Sequence, residues 1–125
     1  MTDKSVTILS DSDDILACVL YSDVICKKDY EIFFEKMKQN LENSGRLKVL
    51  VVFEENFKGW EIDAAEANFG SYLHFAPKAE KIAYVNPTRH KIFKAKIAEP
   101  LIKGEVRFFD RDSYQEALNW VKEDD

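Results

Sequence analysis

The chain has 125 residues and a mass of 14.5 kDa, enough for one domain spanning residues 1–125 with a real core. Its 46% apolar content and 16 aromatic residues exclude a disordered chain, and four glycines with three prolines exclude a fibrous protein or a linker. The formal charge of −5 disfavours nucleic acid as a partner, because phosphate neutralisation needs clustered Lys and Arg. In chain order, Ser5–Ser10 reads as a strand, and Asp11 to Asp14 as a turn whose side chains bond their own backbone. Ile15–Tyr21 is a second strand, apolar on both faces, and is expected to pair with the first as an antiparallel hairpin.

Lys28–Asn43 is the clearest helix. Tyr30, Phe33, Phe34, Met37 and Leu41 recur every three or four residues and make one apolar stripe, and Gly45 suits a left-handed cap. Leu47–Phe53 has the continuous apolar run of a buried parallel strand. A polar loop from Glu54 leads to Trp60, and Ile62–Leu73 reads as a helix that Pro77 cannot extend. Lys81–Val85 is a short strand. Asn86-Pro87 opens a further helix to about Glu99, since proline suits the first helical position. Gly104–Phe109 is the last strand, and Asp112–Lys122 the last helix, with Ser113 and Glu116 at capping-box spacing and Asp112 as the alternative cap. The order β-β-α-β-α-β-α-β-α predicts an α/β fold, with a single mixed, largely parallel sheet under helical cover.

The first residues carry no basic and apolar pattern of a signal peptide, and the longest apolar run, Ile15 to Tyr21, is far short of the roughly 20 residues of a membrane helix. Cys18 and Cys26 have neither redox nor zinc spacing. The expectation is a reduced, cytoplasmic protein, peripheral at the inner membrane surface if it meets a membrane at all.

Four pieces then resemble a known family. They are the two-strand start followed by Asp29-Tyr30, Leu47–Phe53 with Phe57-Lys58-Gly59-Trp60, Lys81-Ile82-Ala83-Tyr84-Val85, and Gly104-Glu105-Val106-Arg107-Phe108-Phe109 before a short final helix. Together, over about Val6 to Lys122, they resemble the SpoIIAA-like family of small bacterial proteins. The resemblance implies a STAS-type α/β fold, similar in architecture to CRAL-TRIO lipid-binding domains. STAS-type anti-sigma-factor antagonists carry a phosphorylatable serine in the turn after the third main strand. Here that turn reads Glu54-Glu55-Asn56-Phe57-Lys58-Gly59-Trp60, without serine or threonine. The resemblance therefore implies the scaffold without that switch.

No hydrolase, phosphate-loop, dinucleotide or zinc-protease motif is present, so the expectation is a non-enzymatic domain with no cofactor and no metal. His74 and His90 are the only histidines, and His74 suits a helix end. The acidic turn Asp11, Asp13 and Asp14 lacks the glycine and closing glutamate of a calcium loop. Cys26 precedes Lys27-Lys28 near a helix start, which favours a thiolate, but the position also suits a substituted N-cap.

Two leads remain. Between Asn86 and Lys103, Arg89, Lys91, Lys94, Lys96 and Lys103 face a single acid, Glu99. On a helical wheel Phe93 and Ile97 point one way, and Ile92 and Ala95 another. Either both arcs pack under the fold and the cations solubilise, or one arc lines a pocket while Arg89, Lys91, Lys94 and Lys96 meet an anion or a membrane surface. The second lead is aromatic. Phe57 and Trp60 follow a strand, where open α/β sheets place sites, and Phe69 and Tyr72 lie on the next helix. They are either loop-on-helix packing or, with Phe93, the wall of an apolar pocket. The expected partner is an amphipathic small molecule or lipid with peripheral membrane contact. The alternative is a regulatory module that binds protein, a second copy of the chain included.

Overall fold

The computed structural model describes residues 4–87 and 104–124. The elements are β1 (Val6–Ile8), β2 (Leu16–Tyr21), β3 (Val24–Ile25), α1 (Lys27–Ser44), β4 (Leu47–Phe53), β5 (Gly59–Trp60), α2 (Ile62–Phe75), β6 (Ala79–Val85), β7 (Glu105–Phe109) and α3 (Tyr114–Lys122). Five strands form one sheet in the order β1-β2-β4-β6-β7, with β1 antiparallel to β2 and the other pairs parallel. The mixed, mostly parallel sheet and the helices α1, α2 and α3 are those the sequence pattern predicts. The predicted helix from Asn86 to Glu99 lies outside the described residues apart from its first two.

Strand alternation divides the side chains between two faces. Ala17, Val19 and Tyr21 of β2, Val49, Val51 and Phe53 of β4, and Ile82 of β6 pack with Tyr30, Phe33 and Met37 of α1. Leu16, Cys18, Leu50, Ala83 and Val85 point the other way, onto Ala117, Leu118, Trp120 and Val121 of α3. The sheet is thus a middle layer between α1 with α2 and α3. Fully buried Cys18 is a core residue of the α3 face.

The helix ends are held by specific contacts. Gly45 closes α1 at φ 71°, its N–H donating to the Leu41 carbonyl at 2.9 Å. At the other end Cys26 is the N-cap, with no side-chain capping bond. Asp29, in the first turn, instead accepts from the Ser5 backbone N–H at 2.8 Å and its hydroxyl at 3.0 Å, tying β1 to the helix.

Four local expectations differ from the structure. β3 and β5 pair as a separate two-stranded sheet inside segments read as connections; two-residue strands carry no periodicity and exist only through their pairing. α2 runs on to Phe75, and Pro77 sits in a 3-10 turn, Ala76–Lys78, that needs no proline N–H. β6 begins at Ala79, two residues early, with a register shift against Leu47 and Lys48. α3 starts at Tyr114 after a 3-10 turn, Arg111–Ser113, so the Ser113–Glu116 capping box does not form. The Ser113 N–H donates to the Asp110 carbonyl at 3.0 Å, and the turn itself carries the chain into the helix.

Candidate functional site

α2 is rich in small residues, with Ala64, Ala65, Ala67, Gly70 and Ser71 along its length. It leans on α1 more than on the sheet. Small side chains cannot fill the space down to β4 and β6, and a cavity of about 480 Å³ remains there. Volumes of this order are typical of small-molecule sites. Its floor is Val49, Val51 and Phe53 of β4 with Ile82 and Tyr84 of β6, and α1 and α2 form its walls. Tyr21 and Phe53 end their strands and lie side by side, and Tyr84 is the last residue but one of β6. The site therefore runs along the length of β4 and β6, from Leu47 and Ala79 at their starts to Phe53 and Tyr84 near their ends.

One aromatic cluster shapes this end. The Tyr21 ring meets Trp60 edge-on at 5.1 Å, Phe53 at 5.6 Å and Phe33 at 6.1 Å, while Trp60 also meets Tyr30 at 5.6 Å. The backbone explains how Trp60 arrives. Gly59 has φ 118°, a conformation open essentially to glycine, and β5 pairs Trp60 with Ile25. The Lys58 N–H donates to the Asp23 carbonyl at 2.7 Å and the Glu61 N–H to Ile25 at 2.9 Å, fixing both sides of the residue. Asn86, at φ 60°, donates from Nδ2 to the Phe53 carbonyl at 2.9 Å and ties the ends of β4 and β6 together.

The sequence leads fall differently on this geometry. Trp60, Phe69 and Tyr72 line the cavity. Phe57 lies behind it, stacked on Tyr21 at 6.3 Å and edge-on to Phe53 at 5.0 Å. Phe93, Arg89, Lys91, Lys94 and Lys96 lie outside the described residues. Tyr21, Tyr30, Phe53 and Tyr84 were legible only as strand and helix core. The available signal was chemical: Tyr21 and Tyr84 put hydroxyls at the carboxyl ends of two apolar strands.

No carboxylate, amine, imidazole or thiol is among the described residues that line the cavity. Its polar groups are phenols, the Trp60 indole, Asn68 and Ser71. Burial pushes the Tyr30 phenol up to about 12, with the neighbouring Ser71 hydroxyl partly offsetting the effect. Burial also pushes the Tyr21 and Tyr84 phenols well up, and each lies near enough to other phenols to be raised further by them. Above the cavity, Phe69 is 63% exposed, and with Ile62 at 81% and Leu73 at 49% it forms an apolar row on the outer side of α2.

The remaining candidates for chemistry are occupied structurally. Asp13 Oδ1 accepts from the backbone N–H groups of Ile15 at 2.8 Å and Leu16 at 2.7 Å, and Asp11 accepts from the Tyr114 hydroxyl at 2.6 Å. The acidic turn is therefore a hairpin brace. Among the described residues no cluster of three His, Cys, Asp or Glu side chains is placed to hold a metal. Cys26 is half-buried beside the Ser5 hydroxyl. A second cleft, of about 460 Å³, lies between β7 and α3 and is wide open to solvent. Its cations are engaged: Lys81 donates to the Trp120 and Glu123 carbonyls, both at 3.0 Å, and Arg107 stacks 5.0 Å from the Trp120 ring centre. No described helix is long and apolar enough to cross a membrane.

Comparison with known proteins agrees with this architecture. The SpoIIAA-like family model matches residues 16–122. A crystal structure of an uncharacterised DUF3478-family protein with a SpoIIAA-like fold, from Shewanella loihica PV-4, aligns with a TM-score of 0.71 at 17% identity. The alignment covers 97% of this chain and 98% of that one. No curated protein matches the chain significantly. The chain belongs to the SpoIIAA-like family.

Proposed function

We propose that this SpoIIAA-like protein is a non-catalytic binding domain that holds an apolar small molecule in the cavity between α2 and the sheet. The observation that carries the reading is the cavity itself, about 480 Å³ of aromatic- and aliphatic-lined space beneath a helix of small residues. Its largely apolar lining meets water when the cavity is empty, and an apolar occupant would remove that surface from water. The lack of an acid, base or thiol nucleophile among the described lining residues supports binding over catalysis. The apolar row Ile62, Phe69 and Leu73 beside the cavity supports loading from a lipid surface, with Phe69 common to both.

The test is native mass spectrometry of gently purified protein, with extraction of any retained mass, followed by titration with N-phenylnaphthylamine, a neutral apolar fluorophore. The expected result is a retained molecule or saturable one-to-one fluorophore binding, abolished by Ile82→Trp, which fills the cavity floor. Bare protein that leaves the fluorophore unbound overturns the proposal. So does binding that survives in a folded Ile82→Trp variant.

A further inference from the structure

Resting on that reading of the cavity, we infer that its ligand is an uncharged apolar molecule carrying a carbonyl-type hydrogen-bond acceptor, and that the Tyr21 hydroxyl is the donor that recognises it. Tyr21 is 3% exposed, lines the cavity, and is boxed by Phe33, Phe53, Phe57 and Trp60, which hold its ring in place. Burial and neighbouring phenols, with no hydrogen bond to a described residue, act on its hydroxyl, and the same holds for Tyr84. Both phenols face one cavity and are close enough to influence each other.

Tyr21 lines the cavity and its hydroxyl has no hydrogen bond to a described residue, so it is placed to donate to what enters. A phenylalanine at position 21 would keep the ring contacts, so what the hydroxyl adds is this capacity to donate. A phenol donates one hydrogen bond, which a carbonyl or ether oxygen accepts.

The charge of the ligand follows from what surrounds it. Among the described lining residues none is a cation, so a carboxylate or phosphate inside the cavity would be buried unpaired, at high cost. The upward shifts of the Tyr21, Tyr30 and Tyr84 phenols show the same environment disfavouring negative charge. Asn68 and Ser71 lie on the α2 side of the same space and add neutral hydrogen-bonding capacity only.

The experiment compares three probes of one shape by calorimetric titration of the full chain: naphthalene, methyl naphthyl ketone and naphthoate. The ketone is expected to bind roughly fivefold more tightly than naphthalene, the worth of one buried neutral hydrogen bond, and naphthoate most weakly. Tyr21→Phe, which keeps the ring packing, is expected to erase the ketone's advantage and leave naphthalene binding unchanged. Tightest binding by naphthoate overturns the inference and leaves the cavity reading standing. So does equal binding of ketone and hydrocarbon, or a ketone preference that survives Tyr21→Phe. Failure of all three probes overturns the cavity reading, and this inference with it.

Discussion

Lys48 and Lys81 are as deeply buried beneath α3 as Tyr21 is beside α1, at 3%, 4% and 3% exposure, yet the two sides of the sheet treat their polar atoms in opposite ways. Lys48 and Lys81 are cross-strand neighbours on β4 and β6, and two adjacent ammonium groups would repel each other. They are reconciled by the end of α3. Lys48 Nζ donates to the Glu123 carbonyl at 2.9 Å and the Asp124 carboxylate at 2.7 Å, while Lys81 Nζ donates to Trp120 and Glu123. A helix C-terminus offers unpaired carbonyls and the negative end of its dipole, so both cations are satisfied where they lie. Arg46 extends the network to Glu80 and Asp124. On the opposite face Tyr21 and Tyr84 line the cavity, and their hydroxyls make no hydrogen bond to a described residue. The difference separates buried polar groups that hold the fold from polar groups that the proposed ligand would meet.

The comparison can be broken most severely on the α3 side. Lys81→Ala removes the amine that ties β6 to the Trp120 and Glu123 carbonyls at the end of α3, and is expected to lower stability by about 3 kcal/mol in urea unfolding. A loss below about 1 kcal/mol would show that the network holds little of the fold.

The next largest effect is expected at high pH, on the cavity side. The folded phenols of Tyr21, Tyr30 and Tyr84 titrate above their ordinary value of 10, so above pH 10 the unfolded chain releases protons that the folded chain keeps. Stability then falls as pH rises from 10, and phenolate absorbance from these residues should appear together with unfolding. Phenolate absorbance from them well before unfolding would mean that water already fills the cavity.

A smaller effect is expected in acid, on the α3 side. Lys48 and Arg46 hold the Asp124 carboxyl down to about 2, against an ordinary 3.8. Its contribution is present above 3.8 and is lost as pH falls towards 2, and Asp124→Asn should flatten that part of the stability profile. Because Asp124 is solvent-exposed, the flattening should shrink in high salt.

The smallest effect sharpens the contrast. Tyr21→Phe removes a hydroxyl that has no bond to a described residue, so unliganded stability should stay within about 0.5 kcal/mol of the parent or rise. A loss above about 2 kcal/mol would reveal a structural bond and remove Tyr21 from the ligand site.

Much of the scaffold was readable residue by residue. The apolar stripe of α1, the left-handed cap at Gly45 and the full extent of β4 follow from local chemistry, because periodicity and φ preference act over a few neighbours. The site was readable only in outline. Trp60, Phe69 and Tyr72, which line the cavity, were legible as candidates because large aromatics after a strand and on the next helix stand out. Tyr21 and Tyr84 were hidden because a strand-end tyrosine on a buried face looks like any core residue until its neighbours are known. The β3–β5 pair was hidden because it joins residues more than thirty positions apart, Ile25 with Trp60.

The sequence by itself determined the α/β class, the largely parallel sheet and the identity of the buried faces, since these depend on the spacing of apolar side chains along each element. Only the tertiary structure decided which buried polar atoms would be met. Whether Lys81 reaches a helix end, or Tyr21 a cavity, depends on where distant elements stop relative to one another. The same holds for the cavity: small residues on α2 are visible in the sequence, but a void exists only once α1 and the sheet hold that helix away from the floor beneath it.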